Sequence, residues 1–484
     1  MENTHYISSS TLTIEDIHHI VVEDKKLALS EEAKVNIQKC RDYLDQKMES
    51  HEAPIYGINT GFGSLCNIKI SNENLSQLQE NLVKSHACGT GEEVPQAIVK
   101  IMLLLKIQSL SYGNSGVQLA TAERLIDFYN NDVLPVIYTQ GSLGASGDLA
   151  PLAHLSLPLL GEGEVFYKGK RQPTKDVFEI ENLKPINVEI REGLALMNGT
   201  SVMTGIGIVN VHNSRKILDW SVKCSCAINE IVKAYDDHLS LELNNAKKHF
   251  GQQEIARIMR DNLSDSTLVR KREDHLYSGD NNEDIFKEKV QEYYSLRCVP
   301  QILGPVLDTI NYTSQVLENE INSANDNPIV DVKNKHVYHG GNFHGDYISL
   351  EMDKLKIVIA KLTMLSERQL NYLLNSKLNE ILPPFVNLGV LGFNFGMQGV
   401  QFTATSTTAE NQMLSNSMYV HSIPNNNDNQ DIVSMGTNAA IITSRVIENA
   451  FEVLAIEIIT IVQAIEYLEQ KDKISSVTRK MYDD

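Results

Sequence analysis

Little in this chain ties it to a membrane, to nucleic acid or to an oxidising compartment. Only six of its 484 residues are cysteine. Cys40, Cys66, Cys88, Cys224, Cys226 and Cys298 are scattered, and none forms a Cys-x-x-Cys pair. That spacing excludes a disulfide framework and leads us to expect a reduced, cytoplasmic protein. Basic charge is in deficit: 43 Lys and Arg face 62 Asp and Glu, a net charge of −19. Such a surface excludes nucleic acid or an anionic membrane as the main partner. The first residues lack a basic segment followed by an apolar one, so no secretory signal is expected. The most apolar late stretch, 450–468, is broken by Glu452, Glu457 and Glu466. It reads as a buried helix and not as a membrane span. Low-complexity tracts and short repeats are absent, and strand signals are few. Short hairpins are expected around Val165–Tyr167 and from Ile329–Val332 to His336–Tyr338.

What remains is a long, ordinary soluble composition, 42% hydrophobic and 22% charged, enough for two or three domains. Helical periodicity dominates. Helices are expected near 31–48, 72–86, 93–112, 116–130, 202–235, 300–324, 350–377 and 434–470. The chain is therefore mainly α. The late helices are long and apolar on most faces, which requires central burial and suggests a bundle completed by other subunits. The turn Met197-Asn198-Gly199-Thr200 marks a division into residues 1–200 and a long-helix part, 201–484.

Polar, Gly/Asn-rich loops separate the helices, and chemistry usually sits on such loops. One reads Gly141-Ser142-Leu143-Gly144-Ala145-Ser146-Gly147-Asp148-Leu149-Ala150-Pro151. Its Ala145-Ser146-Gly147 core is suited to backbone cyclisation. Gly147 has no side chain to hinder approach of its amide nitrogen to the Ala145 carbonyl, and Ser146 carries a hydroxyl that can leave as water. Ring closure with two dehydrations gives 4-methylideneimidazol-5-one (MIO), an electrophile that no ordinary side chain provides. Other readings stand beside it: a plain turn, or a serine nucleophile with His154 and Asp148. A phosphate cradle is disfavoured, because Asp148 follows Gly147 where a Walker loop needs Lys. No Gly-x-Ser-x-Gly elbow is present here.

Three further segments stand out. Tyr56-Gly57-Ile58-Asn59-Thr60-Gly61-Phe62-Gly63 is a glycine-punctuated loop with one tyrosine, or a structural turn. His86 lies where a helix runs into glycines, as a cap or as a functional group. Tyr294 and Arg297 are three apart and share a face on a helical turn. Arg297 suits either a substrate carboxylate or a structural salt bridge. His336, His339 and His344 are spaced for a loop turn better than for a metal site.

Together these segments closely resemble the aromatic amino acid ammonia-lyase family, across about residues 12 to 475. The shared motifs are the Ala-Ser-Gly run, the Tyr56 loop, the Asn198 turn, the Tyr294/Arg297 segment, Asn325-Asp326-Asn327-Pro328 and Gly340-Gly341-Asn342-Phe343-His344. The resemblance implies a mainly α fold: a long-helix bundle of the fumarase/aspartase-like ammonia-lyase type, with a small α+β N-terminal domain bearing the tripeptide. It implies a homotetramer whose active sites are built by several subunits. It implies that Ala145, Ser146 and Gly147 become MIO, with no metal, and that Tyr56 removes the substrate's β-proton. Arg297 and Asn327 would hold the substrate carboxylate. Asn198, Gln291 and Tyr294 would surround the electrophile and the amine. Phe343, Glu410 and Gln430 would complete the substrate site. As a base, Tyr56 would need a pKa depressed from about 10. The fumarase-like Gly-Ser-Ser-x-Met-Pro-x-Lys loop is missing, and a bare helical scaffold leaves the matched polar loops unexplained.

Substrate choice turns on few residues. His86 can hydrogen-bond a phenol and would be left unpaired by a bare phenyl ring, which argues against phenylalanine. Asn429-Gln430-Asp431-Ile432-Val433-Ser434-Met435 looks like the tyrosine and phenylalanine branch, whereas histidine lyases resemble Asn-Gln-Glu-Asp-His-Val-Ser there. The expected substrate is tyrosine, giving trans-4-coumarate. Histidine, giving urocanate, is the alternative, as is a tyrosine 2,3-aminomutase.

Overall fold

A computed structural model of the protein describes residues 3–50, 54–276 and 289–484. Every helix expected from periodicity forms. They are Glu31–Ser50, Leu75–His86, Gln96–Ser111, Leu119–Asn130, Ser201–Ile231, Val299–Ile321, Asp346–Leu374 and Gly436–Leu468. Others were not anticipated. Ile14–Val22 starts on a capping box in which the Thr13 side chain accepts from the Asp16 amide and the Asp16 side chain accepts from the Thr13 amide. Gln398–Leu414 is rich in threonine and polar residues, so its periodicity is faint. Leu149–Ser156, Phe250–Asn262 and Ser476–Asp483 complete the longer unanticipated helices.

The sheets are small. Glu164–Tyr167 and Lys170–Pro173 form the expected hairpin, with Val165 opposite Gln172. Val133–Pro135 adds a third antiparallel strand, Pro135 lying opposite Val165. Ile329–Asp331 pairs with His336–Tyr338, Val330 opposite Val337. Two pairs were unanticipated: parallel Thr4–Ile7 with Lys26–Leu29, and antiparallel Thr90–Glu93 with Tyr138–Gln140. Their strands are three or four residues long, too short to show alternation.

The chain divides into two compact units. The first is Met1–Val209, Ser314–Asp353 and Ser417–Ile441; the second is Asn210–Thr313, Lys354–Asn416 and Ile442–Asp484. Two later segments return to the first unit because buried polar contacts recruit them: Arg191 pairs with Asp326, and Asp148 binds Thr437.

In the first unit the helix Gln96–Ser111 is buried along most of its length, Met102, Leu103, Leu104 and Ile107 completely. In the second unit the interior includes Ile228, Leu303, Ile359, Leu362, Val453 and Ile461, all fully buried. Buried amides cross-link it. Gln369 Nε2 donates to Ser225 Oγ and Ser295 O, and Asn411 Nδ2 donates to Thr363 Oγ1 and Val446 O. Such satisfied polar bridges fix helix register. All six cysteines are free thiols. Among the described residues, no helix is long and apolar enough to cross a membrane.

Candidate active site

The loops of the first unit enclose a cavity of about 1110 Å³. Tyr56, His86, Ala145, Ser146, Gly147, Asn198, Asn327, Phe343 and Gln430 all line it. Residues spread over nearly 400 positions of sequence are thus brought to one concave surface, the usual form of a small-molecule site.

The tripeptide is held from below. Gly147 has φ +71°, and a Cβ there would lie 2.1 Å from Gly199 O, so only glycine fits. Its backbone runs beside Gly199 in a parallel bridge, and the Asp148 amide donates to Gly199 O at 2.8 Å. The fully buried Asp148 carboxylate accepts from Val202 N at 3.0 Å, Met203 N at 2.9 Å, Ser142 Oγ at 2.8 Å and Thr437 Oγ1. It thereby caps the helix Ser201–Ile231. Burial pushes its pKa up, against the pull of those hydrogen bonds. On the other flank Ser434 Oγ donates to Gly144 O at 3.1 Å, and Met435 N to Leu143 O at 2.9 Å.

Ser146 has a donor on each oxygen. Asn198 Nδ2 donates to its carbonyl at 2.7 Å, and Gln430 Nε2 to its hydroxyl at 2.8 Å. Asn198 Oδ1 in turn accepts from Asn327 N at 2.8 Å, and Asn327 Oδ1 from Gly340 N at 2.7 Å. One amide chain therefore fixes the tripeptide, Asn198, Asn327 and the glycines before Phe343. Tyr56 Oη accepts from the Gly63 amide at 3.4 Å, and its ring meets His339 edge-on at 6.5 Å. His86 Nδ1 lies 2.9 Å from Leu82 O, a carbonyl that can only accept. Nδ1 also lies 3.0 Å from Ser85 Oγ, and the tautomer that donates from Nδ1 to Leu82 O is the one that presents Nε2 as an acceptor. The loop carrying Gln430 holds Asn426, Asn427 and Asp428 all at positive φ, a conformation that Asn and Asp adopt more readily than other side chains. It touches the Tyr56 loop where Asn427 Nδ2 donates to Ser64 Oγ at 3.2 Å.

The remaining expected site residues are not among the cavity's lining. Gln291, Tyr294, Arg297 and Glu410 all belong to the second unit. Tyr294 is 70% exposed on the short helix Tyr294–Arg297, and the Arg297 guanidinium stacks over its ring at 4.7 Å. Arg297 Nη1 donates to Gln291 Oε1 at 2.6 Å and to Glu292 O at 3.3 Å, not to a carboxylate. Glu410, on Gln398–Leu414, accepts from Asn449 Nδ2 at 2.7 Å and faces Arg445 Nη2 at 3.4 Å.

A serine nucleophile paired with His154 and Asp148 is ruled out by geometry. His154 Nε2 accepts from Gly89 N at 2.9 Å, and Asp148 is spent on the contacts above. Among the described residues, no group of three or more His, Cys, Asp or Glu side chains is placed to hold a metal ion.

The sequence profile of the family described as aromatic amino acid lyase matches residues 12–484. The chain belongs to the aromatic amino acid lyase family. It is 39% identical over 482 residues to a histidine ammonia-lyase of Geobacillus sp. (strain WCH70), covering 99% of this chain and 91% of that protein. It is 41% identical over 422 residues to a tyrosine 2,3-aminomutase of Myxococcus sp. (strain Mx-B0), covering 86% and 80%. Its fold matches the crystal structure of tyrosine aminomutase from Streptomyces globisporus with a TM-score of 0.94 and 33% identity, covering 99% of this chain and 91% of that one. The chain thus has the mainly α fold of the ammonia-lyases and aminomutases.

Among the buried cations of this lyase fold, which also include Arg41 and Lys356, two adjoin the site and were not expected from the sequence. Lys106 and Arg191 both lie beneath the cavity floor. The signal for Lys106 was a lone lysine inside Leu103-Leu104-Leu105-Lys106-Ile107, where helical burial leaves no route to water. The cavity's apolar lining, including Leu65, Leu78, Leu82 and Leu149, carried no readable signal, since leucines are everywhere in the core.

Proposed function

We propose that this protein eliminates ammonia from an aromatic L-amino acid, using an electrophile made from Ala145, Ser146 and Gly147. The observation that carries this reading is the pair of amide donors on Ser146, set in a cavity that Tyr56 also lines. The residues fit the MIO ring: the Gly147 cradle admits no Cβ, and both Ser146 oxygens are held. The ring, when formed, supplies an electron-poor carbon for the substrate. Tyr56 is the base for the β-proton, with the Gly63 amide aimed at its oxygen. Asn198 donates where negative charge gathers on the Ser146 carbonyl oxygen. Asn327 meets the substrate carboxylate, and Phe343, His86 and Gln430 shape the pocket.

Arg297, Tyr294, Gln291 and Glu410 serve a site completed by another copy of the chain, in a homotetramer. Exposed apolar side chains support such assembly. Phe393 is 81% exposed, Phe402 67% and Tyr347 74%. The cellular location that fits free thiols and an acidic surface is the cytoplasm.

For the substrate, overall similarity supports histidine better than the tyrosine expected from sequence. Histidine ammonia-lyases of 38–39% identity span nearly the whole chain, also in Caldanaerobacter and Staphylococcus aureus. Tyrosine is the second reading. It rests on Gln430 standing where histidine lyases resemble a glutamate, and on the tyrosine aminomutase relatives. In the tautomer that donates from Nδ1 to Leu82 O, His86 Nε2 serves an imidazole N–H or a phenol O–H and disfavours phenylalanine. The test is separate incubation with histidine, tyrosine and phenylalanine, following urocanate, 4-coumarate and cinnamate by ultraviolet absorbance and β-amino acid by chromatography. Turnover of none of them overturns the proposal; the dominant product decides the substrate.

A further inference from the structure

Lys106 is an expensive residue in its place. It is 1% exposed, on the helix Gln96–Ser111, among Leu103, Leu104, Leu105 and Ile107. A buried ammonium is costly unless it is paired and hydrogen-bonded. Its Nζ donates to Asn198 O at 2.7 Å. The charges in electrostatic range are Asp326 and Asp148, which support the ammonium, and Arg191, which opposes it. Burial still pushes its pKa down to about 8. A methionine would fill similar volume without that penalty, so stability alone does not explain the lysine.

The cation's position does. Asn198 follows the short helix Glu192–Met197 in extended backbone, φ −88° and ψ 143°. Its side chain spans two partners, the Ser146 carbonyl and the Asn327 amide. Its own carbonyl would otherwise face an apolar interior, and Lys106 satisfies it. Arg191, at the other end of that short helix, donates to Asp326 Oδ2 at 3.0 Å and Pro328 O at 2.9 Å, on either side of Asn327.

We infer that Lys106 is a positioning residue for the elimination, holding the Asn198 peptide so that the Asn198 amide stays aimed at the Ser146 carbonyl oxygen. This rests on the proposed lyase reading. Displacement of a preorganised donor by about an ångström costs on the order of a hundredfold in rate.

The experiment is a double-mutant cycle of Lys106→Met with Asn198→Ala, with Lys106→Arg as the charge-conserving control. Intact mass is read for every variant, so that tripeptide cyclisation is scored apart from turnover. Wild type lacking the mass of two waters supports the lyase reading whatever Lys106 does; wild type with full mass removes that reading. For Lys106→Met the expected result is full cyclisation, a kcat lower by roughly a hundredfold and KM within about threefold. Lys106→Arg restores most of the rate. The double variant is no slower than Asn198→Ala alone, since residues acting through one another are non-additive. Wild-type kcat in Lys106→Met, or multiplicative losses in the double variant, overturns the inference. If Lys106→Met fails to fold, the same cycle run with Lys106→Gln decides by the same two outcomes.

Discussion

At the scale of single residues, the site rests on where hydrogen-bond donors point. Ser146 receives one on each oxygen, and Tyr56 receives the Gly63 amide. Ser146→Ala removes the leaving hydroxyl; the expected protein keeps its full mass and loses nearly all turnover. Tyr56→Phe keeps the two-water deficit but lowers kcat by roughly a hundred- to ten-thousand-fold, a split that mass and rate together reveal. Away from the site, Glu457 lies fully buried in Gly436–Leu468, and neither of its carboxyl oxygens has a hydrogen-bond partner among the described residues. Its pKa is pushed up from 4.5 to about 8. Between those values the folded state holds a proton that the unfolded state has released. Stability therefore falls as pH rises through that window, by about 1.4 kcal/mol per pH unit. Glu457→Gln should flatten the slope, seen as a thermal midpoint that holds up better at pH 8 than that of the wild type. Residues of this kind are poorly legible in sequence. Glu457 looked like an interruption of an apolar run, and Lys106 like ordinary helix composition, because burial is not a local property. Tyr56, Asn198 and Asn327 were legible because each sits in a short polar motif between apolar helices.

At the scale of elements, long helices announced themselves through period and length, and short elements did not. Leu75–His86 and Asp346–Leu374 carry several turns of apolar repeat. The strands of three or four residues, and the threonine-rich Gln398–Leu414, carry too little pattern to read. The functional element most exposed to test is the turn 144–148. Gly147→Ala forces a side chain into φ +71° and to within 2.1 Å of Gly199 O. A penalty of about 1–3 kcal/mol is expected from the backbone alone. The variant should melt earlier and fail to lose two waters; unchanged melting with full cyclisation would refute the cradle. Of the four bonds to Asp148, those from Val202 N and Met203 N tie this turn to the start of Ser201–Ile231 and that from Thr437 Oγ1 ties it to Gly436–Leu468, so the helix scaffold sets the tripeptide's geometry.

At the scale of the whole molecule, the first unit gathers most of the expected site into one cavity, while Gln291, Tyr294, Arg297 and Glu410 lie on the second. Sequence order cannot disclose such a partition, since contacts between distant segments leave no periodic trace. If another copy supplies those four, two inactive variants should complement each other. Tyr56→Phe and Arg297→Ala, unfolded together and reassembled, should regain a fraction of wild-type activity that neither shows alone. No recovery from correctly sized mixed oligomers counts against shared sites. The most direct measurement for the account as a whole is the mass of the active protein, intact and by peptide. The account predicts a deficit of two waters, confined to the peptide containing Ala145, Ser146 and Gly147. Active protein with unmodified mass across that peptide would contradict it.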